Sequence, residues 1–180
     1  MLYSYNDIFE KLGNDYQILK AIKNEEIFKI ASGVYSDDKN VSELQVIAFK
    51  YSNAIFTMDS AFYYLGLTDT IPEKYHLATD RDASKISNEL VKQYFYPKSK
   101  LESGKEKIEY QGSTIYVYNL ERMLIELIKN KKTIPFDYYK ELIDNYRNRI
   151  YSLDVQKIQQ YLENYNDADS IMNAIQLEVF

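Results

Sequence analysis

The sequence predicts an α+β protein: a small helix–turn–helix–hairpin unit, then a mixed α/β body with a helical C-terminal third. Three observations lead there. Residues 5–36 change from helical to strand-like periodicity within one short stretch. Segments 107–110 and 113–118 alternate around Gln111-Gly112 as a hairpin does. Beyond residue 120 apolar residues recur only at helical spacing, most clearly at Leu120, Met123, Leu124, Leu127 and Ile128.

At the N-terminus, Ile8, Phe9 and Leu12 form one helical stripe, and Gly13-Asn14 supplies the positive-φ geometry that ends it. Asp15 is expected to cap a second helix that buries Ile18, Leu19 and Ile22. Tyr16, Gln17, Lys20, Lys23 and Asn24 then point outward. Two apolar runs follow, joined through Ala31-Ser32-Gly33, with Gly33 suited to a left-handed turn position. Helix, turn, helix and hairpin in that order outline a winged helix-turn-helix, whose second helix usually enters the DNA major groove. Against this, the first 40 residues hold five lysines and seven acids, a weak footprint for phosphate binding. A unit that packs on the rest of the chain, or binds protein, is the alternative.

Ser36 to Asn40 is a polar connector, dividing a unit at 1–38 from a body at 41–180. In the body, Ser42 caps a helix through Tyr51, 54–57 is a short strand, and Asp59 or Ser60 opens a helix stopped by Gly66. Segments 75–78 and 91–96 read as strands; 80–90 is ambiguous between helix and loop, and 98–107 is a charged turn region. Beyond Pro135, Tyr139, Leu142, Ile143 and Tyr146 stripe one helix, and Ile158, Tyr161, Leu162 and Tyr165 the next. A last helix carries Ile171, Met172 and Ile175.

The composition narrows function. With 46% hydrophobic residues, disorder is not expected, and a formal charge of −5 disfavours sequence-blind nucleic-acid binding. The absence of cysteine excludes disulfides and thiolate metal sites. No apolar run approaches membrane length and no signal pattern opens the chain, so a cytoplasmic protein without membrane contact is expected. The 19 tyrosines suit an interface, or reflect an AT-rich gene. His76, the only histidine, has no neighbouring imidazole or thiol and is read as structural. Asp80-x-Asp82 has the form of a Mg²⁺-binding pair but follows no Gly-Ser turn, and is read as a loop with capping aspartates. No glycine loop for phosphate and no nucleophile elbow occurs. The expectation is a protein with no catalytic residues, no metal and no cofactor.

Three segments in order resemble AbiEi-type antitoxins of type IV toxin–antitoxin (phage abortive-infection) systems: IASGVY at 30–35, AIFTMDSAFYYLGL at 54–67 and IYVYNLERMLIEL at 115–127. They are similar to that family's "rGvY" wing, its strand before "SAl…lGL" and its strand before "ERtlvDll". Pro135-Phe-Asp137 and the helix after it continue in register. The resemblance implies a winged helix that represses its own operon by binding operator DNA, and an α+β antitoxin domain. The latter counteracts a nucleotidyltransferase-like toxin without necessarily binding it. By position, it implies DNA contacts from Tyr16, Gln17, Lys20 and Lys23 on the second helix and Lys29 and Ser32 on the wing. Ser60, Gly66, Glu121 and Arg122 match motif positions and are read as fold determinants. Relative to the family pattern the winged helix is truncated by one helix, and Ala31 and Ser32 stand where the wing commonly carries arginine. Two alternatives remain: a protein-interaction module that neutralises a toxin by contact without binding DNA, and an enzyme that reverses the toxin's modification.

Overall fold

A computed structural model describes residues 1–180 as two compact units, Met1–Ser52 and Asn53–Phe180. Both mix helices and sheet, so the chain is α+β.

The first unit begins with a strand the sequence pattern does not reveal, β1 (Leu2–Ser4). Helix α1 (Tyr5–Leu12) follows directly. It is opened by a capping box, in which Ser4 Oγ accepts from the Asp7 amide at 3.2 Å and Asp7 Oδ2 accepts from the Ser4 amide at 2.7 Å. Gly13 at φ 88° closes it as expected. Helix α2 (Asp15–Lys23) is capped by Asn14 rather than Asp15, through the Gln17 amide at 3.0 Å. Strands β2 (Phe28–Ala31) and β3 (Val34–Ser36) form the hairpin, with Gly33 at φ 74° in its turn and a bulge between Lys29 and Ala31. β1 pairs antiparallel with β3, giving the order β1-β3-β2. Ile8, Ile18, Ala21, Ile27 and Tyr35 make the core. The polar connector does not end the unit, because α3 (Glu43–Lys50), capped by Ser42, is grouped with it.

The second unit is built on a five-stranded mixed sheet. Its strands are β4 (Ile55–Phe56), β5 (Tyr75–Asp80), β6 (Val91–Tyr96), β7 (Lys105–Tyr110) and β8 (Ser113–Tyr118), in the order β6-β5-β4-β8-β7. β5 runs parallel to β6 and β4 to β8; β4–β5 and β7–β8 are antiparallel. Helix α4 (Met58–Tyr64) starts one residue before the expected Asp59, after Thr57, with no side-chain cap. Residues 81–90 form no helix; Asp80 Oδ1 instead accepts from the Asp82 amide at 2.9 Å, an Asx turn. The charged turn contains a one-turn helix, α5 (Lys98–Leu101). Then come α6 (Leu120–Lys129), α7 (Phe136–Asn148), a 3-10 turn at Ile150–Ser152, α8 (Val155–Leu162) and α9 (Ala168–Glu178). α6 packs against α4, α8 and α9.

Charge is buried at the centre of this unit. Arg122 is fully buried and Glu126, one turn on, nearly so. Arg122 Nε donates to Glu126 Oε1 at 3.1 Å, and Nη1 donates to the carbonyls of Lys100 at 2.7 Å and Ser103 at 3.3 Å. Nη2 lies 2.9 Å from the same carboxylate oxygen, off the line of a hydrogen bond. Tyr165 and Tyr96 donate to Glu126 at 2.9 and 3.1 Å, while the guanidinium sits 4.7 Å from the ring centre of Tyr118. Neither charge is isolated, as burial requires. Gly104 fits beneath at φ 79°, where a Cβ would lie 2.5 Å from Arg122 Cβ. Glu121 Oε1 accepts from the Asp154 amide at 3.0 Å, and Arg149 donates to the carbonyls of Leu65 and Gly66 at the end of α4.

Candidate functional site

Two regions hold side chains that the packing does not use up. The first is the outward face of α2. At 3.6 residues per turn, Tyr16, Leu19, Lys20 and Lys23 fall within an arc of about 100°, with Gln17 on its flank. All five are exposed, Tyr16 by 71% and Leu19 by 66%. Leu19 thus departs from its expected burial. The core side of α2 is centred on Ile18 and Ala21, each 4% exposed, so the small Ala21 occupies the inward position and Leu19 is turned out. Lys29 is exposed on β2, and Ser32 is exposed in the turn of the hairpin. The six residues assigned to DNA contact are therefore all accessible, four on one helix and two on the hairpin.

The stripe is locally cationic. Lys20 and Lys23 lie in the last turn of α2, where they also complement the helix dipole. Its acid, Asp15, accepts a hydrogen bond from Tyr5 at 2.6 Å, which directs the carboxylate towards α1. Glu25, at φ 58°, and Glu26 follow the helix.

The second region is a cleft of about 690 Å³ in the Asn53–Phe180 unit, lined by Asp59, His76, Lys92, Tyr94, Asn130 and Tyr138 among others. Its polar row is assembled by strand register. β5 and β6 pair His76 with Lys92, and the two-residue alternation brings Tyr94 to the same face. Ser60, a motif residue, fixes the histidine: its Oγ accepts from the His76 amide at 2.9 Å. The Tyr94 hydroxyl lies 3.1 Å from His76 Nδ1, and Nε2 lies 3.6 Å from Asp59 Oδ2. With Tyr94 donating to Nδ1, the consistent neutral tautomer directs Nε2–H towards Asp59. Burial, with help from Lys92, pushes His76 down from the ordinary 6.5 to about 4. Burial raises the Asp59 carboxyl, against the pull of Lys92. At neutral pH the His76 ring is accordingly neutral, and its contact with Asp59 is not an ion pair. Met58, at the edge of the cleft, has φ 44°, a strained value for a non-glycine residue.

His76 thus has partners its sequence neighbourhood does not supply. The sequence offers only one signal for the row, the alternation of Lys92, Tyr94 and Tyr96; the pairing of β5 with β6 is a matter of tertiary register. No group of three or more His, Asp or Glu residues is arranged to hold a metal ion, and no helix is long and apolar enough to cross a membrane.

Neither a protein-family model nor a curated protein matches the chain.

Proposed function

We propose that the chain is a non-catalytic antitoxin with a DNA-binding N-terminal unit. In this reading the first unit is a winged helix-turn-helix that represses its own operon, with α2 in the major groove and the β2–β3 hairpin beside it. The body counteracts a nucleotidyltransferase-like toxin. One observation carries the DNA part: the outward stripe of α2 combines two lysines with Tyr16 and Leu19, beside Gln17, and all five are exposed. The element order supports it, since β1-β3-β2 backs a helix pair as a wing does. The antitoxin part rests on the three ordered motifs. It is supported by the roles of Ser60, Gly66, Glu121 and Arg122 in holding the body together.

A second reading, a protein-contact module that binds no DNA, draws on the same face. Exposed Tyr and Leu can anchor a protein interface, and the unit's acids exceed its lysines. Two assays separate them. Coexpression with the adjacent toxin gene is expected to restore growth, and Lys20→Ala/Lys23→Ala is expected to retain that rescue. The same pair of substitutions is expected to weaken a mobility shift on the protein's own promoter. Full rescue with no shift by the wild-type chain would leave the contact module in front; loss of rescue in the lysine variant would show that α2 touches the toxin.

A further inference from the structure

The exposure of Leu19 gives α2 a group with no role in phosphate binding. We infer that Leu19 is a specificity-determining residue, and that the DNA selected by α2 presents thymine methyl groups in the major groove. This rests on the DNA-binding reading above and adds what is read.

The chemistry of the face leads to thymine. In the major groove a guanine is read by a bidentate arginine or lysine, an adenine by Asn or Gln, and a thymine by apolar contact with its C5-methyl. The Met1–Ser52 unit has no arginine. Lys20 and Lys23 are flexible point charges, suited to phosphate more than to bidentate base contact. Gln17 carries the adenine-reading amide, and Leu19 and Tyr16 the apolar contacts. With the lysines on phosphate, Gln17 and Leu19 both favour A·T pairs. Leu19 is 66% exposed and Tyr16 71%, while the inward side of the helix is filled by Ile18 and Ala21. An exposed leucine beside cations has little to gain from water, and on DNA a thymine methyl is the apolar group in the major groove against which it can be buried.

The test replaces thymine by deoxyuridine, which removes only the methyl groups and leaves every base-pair hydrogen bond and phosphate in place. Fluorescence anisotropy at one fixed salt concentration compares the protein's own promoter duplex with its deoxyuridine counterpart. The wild-type chain is expected to bind the deoxyuridine duplex more weakly, by about fourfold for each methyl group that the leucine covers. Leu19→Ala is expected to lose affinity for the thymine duplex and to discriminate little between the two. Circular dichroism checks that the variant is folded, as its exposure leads one to expect. Equal binding of both duplexes by the wild-type chain would overturn the inference and leave the DNA reading intact. So would discrimination by Leu19→Ala as strong as the wild type's. Binding of neither duplex would remove the DNA reading, and the inference with it. Leu19→Ala with unchanged DNA binding but no toxin rescue would assign the leucine to a protein contact instead.

Discussion

Helices α6 and α2 distribute their side chains in opposite ways. Along α6, Glu121, Arg122 and Glu126 are buried, and each is engaged by a backbone group, a tyrosine or an opposite charge. Along α2, Tyr16 and Leu19 lie mostly in solvent, outside the core cluster of their unit. Buried charges tolerate few alternatives, because removing one partner strands the other. Exposed apolar groups contribute little to the folded state and are free to serve recognition. The difference assigns the two helices different work: α6 holds the body together, and α2 is available for contact.

The largest effect is expected where charge is buried. Arg122→Met leaves Glu126 without its counter-charge and is expected to cost about 3–5 kcal/mol, read from urea unfolding. Adding Glu126→Gln is expected to recover part of that loss, since the stranded charge is removed. Two independent, additive costs would show that the pair is not coupled.

His76 comes next, through pH. Its folded pKa, about 4, lies below the ordinary 6.5, so the unfolded chain binds more protons between those values. Its contribution is fully present above pH 6.5 and is lost as pH falls through about 4, by at most about 3 kcal/mol. Asp59, whose folded carboxyl is raised, works against the loss at the acid end. Urea midpoints across pH 4–7 should therefore slope less in His76→Asn than in the wild type; parallel curves would contradict the burial of a neutral ring.

A smaller cost follows from Gly104→Ala. The new Cβ meets Arg122 Cβ at 2.5 Å on a left-handed backbone, for an expected loss of about 1–3 kcal/mol in thermal or urea unfolding. The smallest effect is on α2, where Leu19→Ala is expected to change stability by no more than about 0.5 kcal/mol. A loss of several kcal/mol there would mean that the leucine is a core residue after all.

Much of this contrast is local enough to be legible in the sequence. The 3.6-residue apolar period of α6 stands out, and Gln111-Gly112, at φ 46° and 76°, is the turn its residue types suggest. What escapes the sequence depends on distant partners. β1 is three residues long and exists as a strand because β3 lies beside it. Periodicity places Leu19 inward because Ile18, Leu19 and Ile22 share an arc, but the core is centred nearer Ala21 and leaves the leucine outside. Arg122 matches a motif position, yet its burial follows from Tyr96, Tyr118 and Tyr165, which come from three separate elements or loops. The His76 row likewise depends on strand register, which brings Lys92 and Tyr94 to a histidine whose chain neighbours offer it no partner.

The most direct test of the account is whether the cations on α2 meet phosphate. Binding of the promoter duplex is measured over a series of salt concentrations for the wild-type chain and for Lys20→Ala/Lys23→Ala, with thermal unfolding recorded on the same samples. Phosphate contact by α2 predicts nearly unchanged unfolding, weaker binding, and a salt slope flattened by about one unit for each phosphate the lysines had neutralised. No binding by the wild-type chain at low salt and micromolar protein, or a slope that the double substitution leaves unaltered, would contradict it.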